Sequence, residues 1–555
     1  MKRLIALLLV VMICFLAVAC NNTASNDITD ANDIGGTDEK VDVTEKNDAT
    51  VDNSAFNDII FGDDSDIDNY VDTEKPTLDI KDHKDADSDK KCDDCGISVV
   101  TTFDFYAIND LHGKFVNTDN TVGVEGLTTY LKQSAELDDN PVFLSSGDMW
   151  QGGAESNLTK GAIITSWMNA MGFSSMTLGN HEYDWGEEYI KANADLAKFP
   201  FLAINIYQKS TNKPVDYCKS SVMVECRGLQ VGIIGAIGDC YSSISADKTA
   251  DIYFKKGNEL TALVKAEAEK LRADGAELVV YSLHDGYGQN SSGNTISDES
   301  LAPYYDVALS NGYVDLVFEG HSHKGYVLRD SKNVYHLQNI GDNGGISHAE
   351  LEFNFANGDY TVTQAEHISS TTYRDITPAP LVSELLEKYK DRIAKAEEVV
   401  GKNNTSRNKD TLLSTVAKLY FEAGNARWGS KYDIVLGGGF MSVRSPYYLH
   451  AGTVTYADLQ SVLPFDNEIV LCSVKGRELV TKFLKTSNSN YYIYCGDYGN
   501  SIKNNINYNS TYYIITDSYS AYYAPNKLTV IESYGENVFA RDLLADYIKA
   551  GNWAK

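Results

Sequence analysis

The sequence predicts a layered α/β domain followed by a smaller α+β domain. Three observations carry that expectation. Apolar runs of strand length alternate with helical segments from about residue 103 to residue 320, the pattern of a sheet covered by helices. Five short segments bearing Asp, Asn or His each follow one of these runs, where a strand gives way to a turn. After about Ile368 the texture changes, first to a charged helical stretch and then to a region rich in Tyr and Asn.

The N-terminus reads as an export signal. Lys2 and Arg3 precede an apolar run over residues 4–18, and small residues lead into Cys20. The run is short for a membrane span and is followed by polar sequence. Small residues before a cysteine resemble a bacterial lipobox. Residues 1–20 are therefore expected to be a lipoprotein signal, with Cys20 lipidated and the protein anchored outside the cytoplasmic membrane.

Residues 21–97 carry few large apolar side chains and roughly half of the net negative charge. Such a stretch buries too little surface to offset its ordering entropy, so a disordered, self-repelling tether is expected. Asp85, Asp87 and Asp89 alternate as calcium ligands do, but the glycine and distal glutamate of an EF-hand loop are missing. Cys92-Asp93-Asp94-Cys95 reads as a small disulfide loop rather than part of a zinc site, because no second cysteine pair lies nearby. An exported chain can oxidise its thiols. Cys218 and Cys226, which flank an expected hairpin, are the first pair to consider.

From residue 98 to 370 the pattern is that of a layered domain. Residues 103–108, 142–144, 201–204, 231–234, 278–281 and 315–318 read as strands, and residues 260–271 as an amphipathic helix. In open α/β sheets, functional groups sit beyond the carboxyl ends of the strands. Residues 371–404 are expected to form a linking element, with one charged amphipathic helix over residues 381–400. Residues 405–555 form the second domain. Its markers are Gly437-Gly438-Gly439, Leu463-Pro464-Phe465-Asp466-Asn467 and a strand over residues 512–516.

The chain has 555 residues and a formal net charge of −30. That charge leaves no basic excess to neutralise phosphates, which argues against a nucleic-acid polymer as partner. No obligate protein partner is evident.

The five polar segments are Asn109-Asp110-Leu111-His112-Gly113, Gly147-Asp148, Gly179-Asn180-His181-Glu182-Tyr183-Asp184, His284-Asp285-Gly286 and Gly320-His321-Ser322-His323. No single helix or loop can hold them together. Strand ends that converge can, and the result is a cage of anionic oxygens, neutral amide oxygens and imidazoles suited to two divalent ions. Zinc, manganese, magnesium and cobalt all suit such a mixed set.

Taken in order, these motifs resemble the signature of the calcineurin-like metallophosphoesterases. With the added second domain the chain is similar to the bacterial 5′-nucleotidase and UDP-sugar hydrolase branch. The resemblance implies a four-layer sandwich, two sheets flanked by helices, for the first domain. It implies that Asp110, His112, Asp148 and His323 hold one ion, and that Asp148, Asn180, His284 and His321 hold the other, with Asp148 as the bridge. His181 would face the substrate, oriented by Asp184. The implied activity is release of phosphate from nucleotides through attack by a hydroxide bridging the ions.

In the resembled family the second domain binds the nucleoside between two aromatic rings. Phe465 and Tyr519 fall where those rings belong, and stacking contributes roughly 1–3 kcal/mol per base contact. The family's Asn-Gly-Gly-Gly-Ile-Arg appears here as Leu436-Gly437-Gly438-Gly439-Phe440-Met441, so its Asn and Arg are absent from their positions. Arg444, a few residues on, and Arg407 are the candidate phosphate-binding cations. These departures keep 2′,3′-cyclic nucleotides, UDP-sugars and other phosphoesters open as substrates. A non-catalytic surface binding protein is the reading from another class.

Overall fold

The computed structural model describes residues 83–118, 121–138, 141–287, 312–341, 344–444, 446–484, 490–496, 499, 502–522 and 528–554, with backbone alone at 291–295 and 503–504. The expected signal, Cys20 and the tether up to residue 82 lie outside these residues. The described residues begin at His83, in a run of turns and bends that precedes strand Val100–Ile108. Short Asp side chains make this possible by capping their own backbone. Asp85 accepts from the N–H groups of Asp89 and Lys90, each at 3.0 Å.

The first domain is built on two sheets. One has six strands in the order Tyr360–Ser369, Gly345–Asn354, Val100–Ile108, Val142–Ser145, Ser175–Thr177 and Phe201–Leu202. The other has seven, in the order Ser291–Thr295, Tyr326–Arg329, Tyr335–Gln338, Leu316–Glu319, Leu278–His284, Leu229–Ile237 and Ser221–Cys226. Strand Val100–Ile108 shows how the layers form. Phe103, Phe105 and Ala107 face the other sheet, where they pack with Val231, Ile233, Leu278, Val280 and Phe318. Tyr106 and Ile108 alternate to the opposite face and meet the helices Val124–Leu137 and Ala162–Met171. Helix Asn258–Ala273 covers the outer face of the second sheet through Leu260, Val264, Ala268 and Leu271. The order helix, sheet, sheet, helix is the expected four-layer sandwich.

Strands Val100–Ile108, Val142–Ser145, Ser175–Thr177 and Phe201–Leu202 run parallel, as do Leu229–Ile237, Leu278–His284 and Leu316–Glu319. Their carboxyl ends therefore open on common edges. Two expectations fail here. Strand Phe201–Leu202 stops short of Ile204 because the chain leaves the sheet at Ala203, whose N–H donates to Lys219 O. Cys218 and Cys226 are in the thiol form and not joined to each other. They stand near opposite ends of one extended strand, Ser221–Cys226, so their side chains cannot meet.

The linking helix is broken up. Helices Pro380–Lys388 and Lys390–Ile393 and a 3₁₀ turn Ala394–Glu397 replace the single expected helix, and Val399 and Val400 enter strand Val399–Asn403. Tyr389 sits at the first break. Its hydroxyl lies 2.8 Å from Ser166 Oγ, which turns the ring into the first domain and off the helical path.

The second domain carries a mixed five-stranded sheet in the order Tyr491–Tyr494, Ile434–Phe440, Thr511–Asp517, Ile469–Lys475 and Thr529–Ser533. Helix Lys409–Trp428, capped by the Asn408 side chain, covers one face through Leu412, Val416 and Tyr420. Leu479, Val480 and Phe483 cover the other, against Val470, Cys472 and Ile514. This is the expected α+β arrangement.

Candidate metal centre

Each candidate ligand sits where a parallel strand ends. Asp110 and His112 follow strand Val100–Ile108, Asp148 follows Val142–Ser145, and Asn180 follows Ser175–Thr177. His284 is the last residue of its strand, and His321 and His323 follow Leu316–Glu319. Asp110, His112, Asp148, His321 and His323 all adopt left-handed backbone, with φ of 50°, 50°, 55°, 68° and 55°. Such angles are uncommon outside glycine and mark places where the fold dictates the direction of a side chain. Gly147, at φ +91°, is needed for closeness, because a Cβ there would lie 2.6 Å from His284 Nδ1.

The side chains converge. Ligand atoms of Asp110, His112 and His323 lie within 4.8 Å of one another, and so do those of Asp110, Asp148 and His284. His284 Nε2 is 3.2 Å from both Asp148 Oδ2 and Asn180 Oδ1. His112 Nε2 is 3.1 Å from His323 Nε2, which in turn is 3.1 Å from Asp110 Oδ1.

Hydrogen bonds fix which atoms face inward. His284 Nδ1 donates to Ser146 O at 2.7 Å and His112 Nδ1 to Gln151 O at 3.0 Å, so the Nε2 lone pairs point into the cage. Asp110 Oδ2 is held by Asn109 Nδ2 at 2.6 Å and by the His321 N–H at 2.8 Å. Asp110 Oδ1, fully buried, meets only the ring nitrogens of His323 at 3.1 Å and His112 at 3.8 Å among the described residues, neither of them a well-directed donor. A buried carboxylate oxygen left in this way beside inward lone pairs is what a cation satisfies. The residues present therefore fit divalent ions.

Burial works against a charged His284 imidazole, but Asp148 outweighs it and lifts the pKa to about 10, so a cation binding at Nε2 displaces a proton there. Burial opposes ionisation of Asp110, but His323 and His284 outweigh it and hold the carboxyl at about 2. Asp148 is likewise held well below the ordinary carboxylate range, burial being overcome by His284 and His181. Burial and the neighbouring His284 push His321 down to about 4, which keeps its lone pair available.

Two residues outside the expected set belong to the centre. Glu182, wholly buried, accepts the N–H groups of Asp148 at 2.9 Å and Gly179 at 2.7 Å on Oε2, and that of Met149 at 2.9 Å on Oε1. It ties two ligand loops together. Cys240 brings Sγ within 4.8 Å of donor atoms of His284 and His321, and its thiol donates to His284 O at 2.9 Å. Both carried a signal: Glu182 lies inside a quoted motif, and Cys240 follows the apolar strand Leu229–Ile237 as the ligands follow theirs.

His181 lies beside the cage. Its N–H donates to Asp148 Oδ1 at 2.8 Å, and its Nδ1 is 2.8 Å from Asp184 Oδ2. Burial works against a charged imidazole, but Asp184 and Asp148 outweigh it and raise the pKa above its ordinary value. Arg444 reaches across from the second domain, with Nη2 at 2.5 Å from His181 Nε2 and Nη1 at 3.1 Å from His112 Nε2.

The centre opens into a cavity of about 370 Å³ lined by His181, His321, Arg444, Phe465 and Tyr519, among others. The Phe465 ring is 6.0 Å from that of His181 and 5.7 Å from the Arg444 guanidinium. The Tyr519 hydroxyl donates to Ser243 O at 3.3 Å, and its ring is 6.1 Å from Phe440. Arg407 is not brought to the site. Its guanidinium is engaged by Asn403 and Asn404 and stacks 5.2 Å from the Trp553 ring. Asp466 anchors the Phe465 loop across the domains by accepting from Lys160 and from Trp185 Nε1 at 3.0 Å, and by pairing with the buried Arg541.

Comparison with known proteins bears on the fold and on the two domains. Residues 103–325 match the calcineurin-like phosphoesterase family, and residues 392–524 match the 5′-nucleotidase C-terminal domain. The chain thus carries a calcineurin-like phosphoesterase domain followed by a 5′-nucleotidase C-terminal domain. Protein UshA of Yersinia enterocolitica is 27% identical over 420 residues, which cover 68% of this chain and 74% of that protein. The 5′-nucleotidase of Vibrio cholerae is 25% identical over 417 residues, covering 67% and 73%. The solved 5′-nucleotidase precursor of Thermus thermophilus superposes with a TM-score of 0.62 at 17% identity, covering 81% of this chain and 96% of that one, a likeness of fold.

Proposed function

We propose that the protein is an extracytoplasmic phosphohydrolase that releases phosphate from nucleotides with two divalent ions in its cage. The observation that supports this reading most is the arrangement of Arg444. It spans the gap between the ligand His112 and His181 at the mouth of an aromatic-lined cavity. Asp110, His112, Asp148 and His323 would hold one ion, and Asp148, Asn180, His284 and His321 the other. When bound, the ions supply Lewis acidity toward water and the phosphoryl oxygens.

The chain's own groups do the rest. Arg444 presents two donors to the non-bridging oxygens, a fork that matches a phosphoryl group. Asp184 holds His181 so that its Nε2 faces the ester. Water oxygen attacks phosphorus and loses a proton to solvent, the bond to the leaving oxygen breaks, and the imidazolium of His181 gives that oxygen its proton and is then reprotonated from solvent. Phe465 and Tyr519 receive the base, and their separation from the phosphoryl end sets the length of substrate accepted. Export and anchoring at Cys20 belong to the same reading, supported by the N-terminal sequence.

The test is hydrolysis of AMP, UDP-glucose, 2′,3′-cyclic AMP and an aryl phosphate, with and without chelator. Chelator-sensitive turnover with AMP preferred is the expected result. Turnover of aryl phosphate alone would replace the nucleotide by another ester, and chelator-resistant turnover of every substrate would sink the reading. Asp148→Ala is expected to lose most of the bound metal together with the activity. Retention of both ions by this variant would refute Asp148 as the bridge.

A further inference from the structure

One group of donors stands far from the reaction. His83, Cys92 and Cys95 bring one ligand atom each within 4.8 Å of one another. Cys95 Sγ lies 3.2 Å from His83 Nδ1, and both cysteines are in the thiol form. The backbone builds this arrangement. Gly96 N–H donates to Cys92 O at 2.8 Å, and Gly96 takes a φ of +74°, which curls the Cys-x-x-Cys loop so that its two thiols share one side. Asp93 N–H donates to Lys84 O at 2.8 Å, which lays the stretch holding His83 alongside that loop. The imidazole thus supplies a third ligand that no second cysteine pair provides.

We infer that His83, Cys92 and Cys95 bind a borderline-soft divalent ion, with zinc the best match, at a structural site separate from the two-ion cage. Two thiolates and one imidazole are a zinc-type donor set. Tetrahedral bonds of roughly 2.3 Å to sulfur and 2.0 Å to nitrogen put neighbouring ligand atoms about 3.5–3.8 Å apart, so small rotations close the observed cluster on an ion. The segment also needs a staple. Between His83 and Ser98, all of them described residues, only Cys92 is buried, so the turns have almost no apolar interior to hold them. Ligand oxygens of Asp85, Asp87 and Asp93 cluster beside the site, and their negative potential favours a cation.

The site fastens the chain where it enters the sandwich. Cys92 packs with Val99, Val100, Phe355 and Ala356, and Phe355 N–H donates to Val99 O at 2.9 Å. Strand Val100–Ile108 separates this point from Asp110. Its nine residues at about 3.3 Å each put roughly 30 Å between the two sites.

The experiment compares the full-length protein with Cys92→Ser/Cys95→Ser, both loaded with zinc, dialysed and assayed for bound metal. The wild type should retain one zinc per chain more than the variant, while aryl phosphate turnover stays equal. Reading the difference keeps the result independent of how many ions the cage holds. Equal zinc in the two proteins overturns the inference. So does a Cys92–Cys95 disulfide in the non-reduced wild type that carries no extra zinc. Cobalt loading gives a second readout that does not need the double variant to fold. A thiolate-to-cobalt charge-transfer band should appear in the wild type, persist in Cys240→Ser and vanish in His83→Ala. Loss of the band in Cys240→Ser with retention in His83→Ala would place the thiolate in the cage and end the proposal.

Discussion

Glu182 Oε2 accepts the backbone N–H of Asp148 at 2.9 Å while also holding Gly179, so one carboxylate sets the spacing between two ligand loops. Glu182→Gln replaces one acceptor oxygen by an NH₂ group that cannot accept these N–H groups. Groups that orient metal ligands typically contribute 10–100-fold to affinity, and the expected loss is of about that size. Metal titration of the chelator-treated variant checks it. Wild-type affinity would show that the loops hold their spacing without this carboxylate.

Arg444→Ala should lower kcat by about 10²–10³, the usual effect of removing one donor aimed at developing charge. Metal content should stay unchanged. Arg444→Lys should recover only part of the loss, because an ammonium lacks the fork. Steady-state kinetics beside metal analysis decides. Full recovery by Lys would reduce the role of Arg444 to charge alone.

His181→Ala should lower turnover strongly at nearly intact metal content, since its imidazole stands beside the cage and pairs with Asp184. Asp184→Asn should give a smaller loss in the same direction. Parallel loss of metal and turnover in His181→Ala would make this imidazole a ligand instead.

Asp466→Ala leaves Arg541 buried without its carboxylate partner. Breaking a buried pair costs about 3–5 kcal/mol. Urea unfolding should show a loss of that order, and base-dependent discrimination among nucleotides should fall, because Arg541 Nη1 also holds Phe465 O at 3.0 Å. A loss below about 1 kcal/mol would show the pair to be solvent-relieved.

His348 provides a pH dependence. Its ring stacks on Tyr106 at 4.3 Å, its Nε2 is 2.7 Å from Asp104 Oδ1, and its Nδ1 is 3.3 Å from Glu366 Oε1. Burial opposes the charge, but Asp104 and Glu366 outweigh it and lift the pKa to about 9. A folded value above the unfolded one means that stabilisation is complete below about pH 6.5 and fades as pH rises toward 9, by at most about 3 kcal/mol. Denaturation midpoints from pH 6 to 9 should fall in the wild type and be flatter in His348→Gln. Identical slopes would remove His348 as their source.

The sandwich was legible because its central strands are apolar on both faces, and such runs stand out between glycines and charges. The convergence of the candidate ligands was legible because Asp110, Asp148, Asn180 and His321 each sit a few residues at most beyond such a run. The linking helix misled because residues 381–400 keep a helical polar pattern straight through Tyr389, whose hydroxyl partner Ser166 is distant in sequence. Arg407 misled for a related reason: being an arginine near an expected position says nothing of Trp553, which claims it. Arg444 reached the site from a displaced position because the loop after strand Ile434–Phe440 carries it back over His181.

The twisted backbone beneath Asp110, His112, Asp148, His321 and His323 has a consequence for metal binding. Left-handed residues of this kind each cost on the order of 1–3 kcal/mol and persist because the surrounding strands over-determine them. A cage already set in shape by the sheets leaves little of the chain to be reordered by a cation, so the free energy of binding is spent on the ion rather than on the backbone.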